Sequence, residues 1–221
     1  MTMITDDATV TFDLYKDIHK GIRAGLFGLT LHTGSLDPAD DDGRGALADD
    51  IADLVRLLVG HAEHEDAHLQ DMILQHVPRL GHKIERDHVE LDNRMLGLNT
   101  LAVAAADARS GEPARRRLHS LYLELASFTS AYLAHQDLEE RLVMPALSAV
   151  VPVETLLERH QQIIGSIPPE EMAAGLTLML PAQNIDDRTE LLGGMQAGAP
   201  PEAFAGVLAL ADSLGVAHRI G

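Results

Sequence analysis

The sequence predicts an all-α protein: an up-down-up-down four-helix bundle followed by a C-terminal helical extension. Two observations support this prediction. Apolar residues recur at alternating spacings of three and four in four long segments before residue 151. Ala and Leu dominate the composition and aromatic residues make up only 3%, which favours helices because Ala and Leu are good helix formers. Four amphipathic helices joined by short connections are typical of an antiparallel bundle.

The first two segments are separated by an acidic loop at residues 37–43. The first runs from about residue 9 to residue 33, and its buried face is predicted to contain Phe12, Tyr15, His19, Ile22, Leu26 and Leu29. The second runs from about residue 45 to residue 76 and is ended by Pro78, with a buried face of Leu47, Ile51, Leu54, Leu58, His61, Glu65, His68 and Met72.

The third and fourth segments are separated by a Ser-Gly-Glu-Pro turn at residues 110–113. The third runs from about residue 80 to residue 109, with Ile84, His88, Leu91, Met95, Leu98, Ala102 and Ala105 facing the core. The fourth runs from about residue 114 to residue 150, with Leu118, Leu121, Leu125, Phe128, Tyr132, His135, Glu139, Leu142 and Ala146 facing the core. Pro145 is expected to kink or loosen its last turn.

The chain changes character after Pro152, where prolines and glycines divide it into three or four short helical segments. We therefore predict two domains: the bundle at residues 1–151 and a helical extension at residues 152–221. The extension is expected to pack on the bundle or to support self-association into a homo-oligomer.

Composition excludes several classes of function. The formal net charge of −17 argues against binding to nucleic acids or anionic membranes, because the protein surface would repel phosphates. The absence of cysteine excludes disulfides, zinc–thiolate sites, iron–sulfur clusters and cysteine nucleophiles. No apolar run approaches the roughly 18 residues of a membrane span, and the N-terminus lacks the basic region of a secretory signal. We expect a cytoplasmic protein.

Histidine and glutamate interrupt the four apolar faces at seven positions. Six of these, all but His68, are the candidate functional residues: His19, His61, Glu65, His88, His135 and Glu139. In an antiparallel bundle they would fall within one or two turns of a common level, at about 1.5 Å per residue. Burying such groups without a partner costs several kcal/mol, and a pair of cations would compensate this cost.

Imidazole and carboxylate ligands without thiolate suit iron, manganese or zinc. Glu65 and Glu139 could each bridge two ions about 3.5–4 Å apart.

The order of these residues resembles the hemerythrin-like, or HHE cation-binding, family over about residues 10–150. The resemblance is carried by His19, by the His-x-x-x-Glu pairs His61–Glu65 and His135–Glu139, by His88, and by residues 139–147. It implies two iron ions joined by an oxo or hydroxo bridge, with zinc or manganese as alternatives. It also implies binding of O2, peroxide or another small diatomic ligand, for oxygen binding, redox sensing or peroxide handling.

Two positions depart from the oxygen-carrying members of the family. The oxygen-carrying members resemble this chain in the order of their ligands, but they have a further histidine at the position that Asp92 occupies here. They also place the last carboxylate at the position of Glu140. Reversible O2 carriage is therefore disfavoured. The chain also lacks the cysteine-bearing N-terminal segment typical of family members that repair iron clusters.

Three interpretations remain open from the sequence. The first is a di-iron protein that binds or reacts with O2 or peroxide, with catalase-like or ferroxidase-like turnover left undecided. The second is an iron-responsive regulatory module whose folding or partner binding depends on metal occupancy. The third is a metal-free structural bundle, which leaves the six inward polar residues without an explanation. Roles for His68, Tyr15 and Tyr132 near the ligands also stay open.

Overall fold

The computed structural model describes residue 10 and residues 12–220, which form helices with no strand among them. The prediction of an all-α protein is confirmed. The helices are α1 (Lys16–Ser35), α2 (Asp41–His68), α3 (Gln70–His76), α4 (Pro78–Ala106), α5 (Glu112–Leu138), α6 (Met144–Ser148), α7 (Val153–Ser166), α8 (Pro169–Ala182), α9 (Ile185–Gly198) and α10 (Pro201–Ser213). A π-helical turn, Glu139–Val143, joins α5 to α6.

The larger of two compact units contains Leu26–Ser166 and the described residues that precede Tyr15. Within it, α4 packs along both α2 and α5, and α7 packs against α2. The core contains most of the apolar positions that the spacing predicts, including Leu47, Ile51, Leu58, Ile84, Met95, Leu98, Leu121, Leu125 and Phe128. Leu142 is an exception: it is 52% exposed, and Val143 is buried instead, within the π-helical turn. Four polar residues of the predicted site, Glu65, His88, His135 and Glu139, are buried in the same unit and lie in an apolar interior.

Local signals in the sequence set the helix starts in this unit. The Asp40 side chain accepts a hydrogen bond from the Gly43 amide at 2.8 Å and caps α2. Pro78 occupies the first turn of α4, where its missing N–H costs nothing. Gly111 precedes α5 with a φ of +93°, a conformation that favours glycine.

Helix boundaries differ from the prediction in three places. Helix α1 begins at Lys16 and not near residue 9, which lies outside the described residues. The repeat of apolar residues predicts which face is buried, but it does not predict where the first hydrogen-bonded turn begins. The predicted second helix is divided at Leu69 into α2 and α3. The predicted fourth helix is divided by the π-helical turn.

The second unit contains Tyr15–Gly25, which is the first part of α1, and the described residues that follow Ser166. Its core consists of Leu176, Leu180, Leu192, Phe204 and Ala211. Helix α8 lies against α1 so closely that a Cβ on Gly21 would come within 3.1 Å of the Met179 backbone nitrogen. Lys16 and Lys20 both form ion pairs with Asp187 on α9. Helices α8 and α9 thus pack on the start of α1, and α10 packs on α8 and α9.

None of the described helices is both long and apolar enough to cross a lipid bilayer.

Candidate metal centre

Five of the six predicted ligands lie in the larger unit, on consecutive long helices. His61 and Glu65 are one turn apart on α2, so their side chains leave the same face of the helix. His88 lies on α4, His135 near the end of α5, and Glu139 at the start of the π-helical turn. His61 is half-buried and the other four are buried, with Glu139 only 1% exposed.

Four of these residues converge on one point in the interior. One donor atom each from Glu65, His88, His135 and Glu139 lies within 4.8 Å of all the others. The Nε2 atoms of His88 and His135 are 3.2 Å apart. Glu139 Oε1 is 3.3 Å from His135 Nε2. The predicted spacing along three separate segments thus produces one cluster of imidazole and carboxylate donors.

Glu65 presents its two oxygens to different histidines. Its Oε1 atom is 3.1 Å from His61 Nε2 on the same helix, and its Oε2 atom is 3.5 Å from His88 Nε2 on α4. A carboxylate oriented in this way can serve two cations at once, one through each oxygen. The orientation fits the bridging role predicted for Glu65.

Two aspartates lie on the outer side of the cluster, and one of them forms a hydrogen bond with a histidine ring. His88 Nδ1 donates to Asp66 Oδ1 at 2.8 Å, and His135 Nδ1 lies 3.8 Å from Asp87 Oδ2. Lys83 in turn donates to both oxygens of Asp87. A proton held on Nδ1 leaves the Nε2 lone pair for the interior, which is the usual arrangement of metal-binding histidines.

Asp66 and Asp87 are not among the residues predicted from the sequence. Their positions could have indicated a role near the metal ligands, because Asp66 directly follows Glu65 and Asp87 directly precedes His88. Each aspartate lies near a histidine on the next long helix: Asp66 on α2 accepts a hydrogen bond from His88 on α4, and Asp87 on α4 faces His135 on α5.

The electrostatics of the cluster favour bound protons or a cation. Burial lowers the pKa of His88, but its hydrogen bonds with Asp66 and Glu65 outweigh burial and raise the pKa to about 10. Burial, reinforced by the charge of Glu65, raises the pKa of Glu139 well above 4.5. The same two carboxylates, together with burial, raise the pKa of Tyr132 above 10. Negative charge is thus concentrated where little water reaches it.

The donor set fits a metal ion. If His88 and His135 each carry a proton on Nδ1, their Nε2 lone pairs face each other at 3.2 Å and repel unless a proton or a cation lies between them. The carboxylates of Glu65 and Glu139 likewise repel each other in this low-dielectric interior. A divalent cation relieves both repulsions.

The other residues singled out from the sequence have different surroundings. His19 is fully buried on α1, and its ring centroid is 5.2 Å from that of Tyr15. Both belong to the second unit, so ligation by His19 stays a prediction. Tyr132 is buried with its ring 6.0 Å from that of His135. Asp92 is exposed. His68 hydrogen-bonds to Ser166.

Comparison with known proteins agrees with this geometry. A family model described as the hemerythrin HHE cation binding domain matches residues 10–147, a stretch that includes all six predicted ligands. Searches of curated proteins and of solved structures found no match. The match spans more than half of the sequence, so the resemblance inferred from the histidine and glutamate pattern is confirmed. The chain belongs to the hemerythrin HHE cation binding domain family.

Proposed function

We propose that this chain holds two iron ions in the buried cluster and binds or reacts with O2 or peroxide there. The observation that carries the proposal is the convergence of Glu65, His88, His135 and Glu139 within 4.8 Å of one another. Structural bundles rarely bury such groups together, because each is costly to remove from water.

The proposed ligands are the six residues predicted from the sequence: His19, His61, Glu65, His88, His135 and Glu139. Glu65 and Glu139 are the proposed bridging carboxylates, and the histidines bind one ion each. Two bound iron ions would supply one-electron redox chemistry and coordination positions for a small ligand. The up-down-up-down order of α1, α2, α4 and α5 is part of the proposal, supported by the packing of α4 on both α2 and α5.

The protein's own residues have three tasks in this proposal. Asp66 orients the ring of His88 through a hydrogen bond, and the Asp87 carboxylate lies 3.8 Å from His135 Nδ1. The apolar core around the cluster keeps water out, which strengthens every electrostatic interaction inside. Tyr132 keeps its phenolic proton, because its pKa is raised, and it can therefore donate a hydrogen bond at neutral pH.

The test of this proposal is metal counting combined with absorption spectra of freshly purified protein. We expect about two iron ions per chain, absorption in the near-ultraviolet and visible range in the oxidised form, and a spectral change when reduced protein meets O2 or peroxide. His135→Ala should lose both the iron and the absorption. His119→Ala, an exposed histidine on the same helix, is the matched control and should retain both. A single zinc ion and no iron would reject the proposal.

A second candidate function is iron-dependent regulation through folding. It is favoured by the burial of Glu139 and by its repulsion from Glu65, which together raise the pKa of Glu139. Metal removal should leave this repulsion uncompensated and lower the melting temperature, since a ligand that binds only the folded state stabilises it. Metal-dependent oligomer size would support the regulatory function. If the melting temperature and oligomer size are the same with and without metal, this candidate fails.

A further inference from the structure

Helix α2 carries two more histidines on the turn that holds Glu65. His64 and His68 are one turn apart and half-buried. Their rings are nearly parallel, with centroids 6.4 Å apart and an angle of 19° between the planes. Neither belongs to the buried cluster of donors. Both face the last residue of α7, Ser166.

The Ser166 hydroxyl is the meeting point of the two rings. Its oxygen is 3.1 Å from His64 Nδ1 and 3.1 Å from His68 Nε2. It also donates its proton to the Ile163 carbonyl at 2.8 Å. Since the hydroxyl has only that proton to donate, its oxygen accepts from both rings. Three donor atoms on two helices are therefore directed at one place near the surface.

We propose that His64 Nδ1, His68 Nε2 and Ser166 Oγ form a second metal site, for a borderline divalent transition ion such as Zn²⁺. Imidazole suits ions of this class better than magnesium or calcium. Zinc binds histidine nitrogen at about 2.0–2.1 Å, so two ligands of one tetrahedral ion lie about 3.3 Å apart. Each ring nitrogen is already 3.1 Å from Ser166 Oγ. Small side-chain rotations would admit the ion, and water would complete the coordination.

The proton balance of this site is simple. A ring binds a metal in its neutral form, with its single proton moved to the nitrogen that faces away from the ion. No proton is released, and the Ser166 hydroxyl keeps its hydrogen bond to Ile163. The net charge of −17 raises the local concentration of cations near the protein surface.

The site would join α7 to the turn of α2 that carries Glu65. The ordinary hydrogen bonds to Ser166 already hold this contact, and an ion would replace them with coordinate bonds. Its occupancy is independent of the iron proposed for the buried cluster, because the two sites share no ligand.

Zinc titration of the full-length, iron-loaded protein tests the proposal. Wild-type protein should bind one zinc ion in addition to its iron, and His64→Gln/His68→Gln should not. The control is His76→Gln/His119→Gln, which removes two exposed histidines on other helices and should keep the extra zinc. Ser166→Ala replaces one proposed ligand with water and removes the hydrogen-bond acceptor shared by both rings, so zinc binding should weaken about 10-fold.

Two further measurements make the result decisive. Cu²⁺ used in place of zinc should show magnetic coupling to two nitrogen nuclei in wild-type protein, and the coupling should disappear in His64→Gln/His68→Gln. Iron content and far-ultraviolet circular dichroism should be unchanged in that variant, which shows that it is folded. Retention of the extra zinc by the folded double variant, or no extra zinc in wild-type protein, would overturn the proposal. His135→Ala should still bind this zinc even if it loses iron.

Discussion

Asp66 shows how a residue outside the predicted ligand set can control the centre. It accepts a hydrogen bond from His88 Nδ1 at 2.8 Å, which directs Nε2 to the interior. Asp66→Asn keeps the shape but removes the charge that fixes the ring. We expect metal affinity to fall about 10- to 100-fold, measured by competition with a chelator of known affinity.

A matched control for Asp66 is Asp137→Asn on α5. Asp137 is exposed and pairs with Arg141 at 2.6 Å, away from the ligand atoms. The metal affinity of the Asp137→Asn variant should therefore equal that of wild-type protein. Both variants should keep wild-type circular dichroism, because the Asp66 side chain is about half exposed. Equal metal affinity in all three proteins would show that Asp66 does not position His88.

Glu139 and Glu140 offer a second test at the residue scale. The regular spacing of the core face predicts Glu139 as the ligand, and the structure buries it against His135 while Glu140 is half-buried. Glu139→Gln should therefore lose metal, since the amide cannot supply a charged bridging ligand. Glu140→Gln should retain it. Metal content after dialysis measures both, and the opposite pattern would assign the ligand role to Glu140.

The metal-binding cluster could be anticipated at the residue level because helical spacing reveals which side chains share a face. His61 with Glu65 and His135 with Glu139 follow from that rule alone. The role of Asp66 does not follow, because it depends on where the neighbouring helix places His88. Contacts between helices are set by packing, and no spacing along one helix specifies them.

At the scale of elements, the fourth predicted helix shows where periodicity fails. The sequence predicts a disturbance at Pro145, and the structure has a π-helical turn at Glu139–Val143 just before it. The Met144 amide donates a hydrogen bond to the carbonyl of Glu139, five residues earlier, at the end of this turn. Such turns are rare and are often found at functional sites. Apolar spacing cannot reveal one, because the turn adds a single residue to an otherwise regular repeat.

Arg44 joins two helix ends and provides a stability test. It is 2% exposed. Its Nε donates to the Ala105 carbonyl at 2.9 Å and its Nη2 to the Ala108 carbonyl at 2.7 Å, so it binds the C-terminal end of α4 to the start of α2. Arg44→Met removes these bonds and leaves the carbonyls without their charged donor. We expect unfolding free energy to fall by about 3 kcal/mol, measured by urea denaturation.

Arg56→Met is the comparison for Arg44 on the same helix. Arg56 is exposed and pairs with Asp53, which is also exposed. Its replacement should change the free energy of unfolding by no more than about 0.5 kcal/mol. Similar losses in both variants would mean that the buried hydrogen bonds of Arg44 contribute no more than a surface ion pair.

At the scale of the whole molecule, proline spacing marks where helices end but not which helices pack together. The change in composition after Pro152 predicts a boundary between a bundle and an extension, and this division stays a prediction. In the structure, α7 follows Pro152 yet packs against α2, whereas the start of α1 belongs to the unit formed by the last three helices. Such long-range contacts depend on the shapes of the packed faces, which apolar periodicity does not encode.

Stability of the metal-free protein should depend on pH in a way that reports the cluster. The pKa of His88 is raised from 6.5 to about 10 and that of Glu139 is raised above 4.5, so the folded state binds more protons than the unfolded state. Stability from His88 is therefore fully present below pH 6.5 and is lost as the pH rises to about 10, at about 1.4 kcal/mol per pH unit. Glu139 acts with the same sign, beginning at lower pH. Urea denaturation of chelator-treated protein from pH 5 to pH 9 should show stability falling with pH.

Asp66→Asn removes one cause of the raised His88 pKa and should make the fall shallower, whereas Asp137→Asn should not. Stability that rises from pH 6.5 to pH 9 would show that the cluster does not hold these protons.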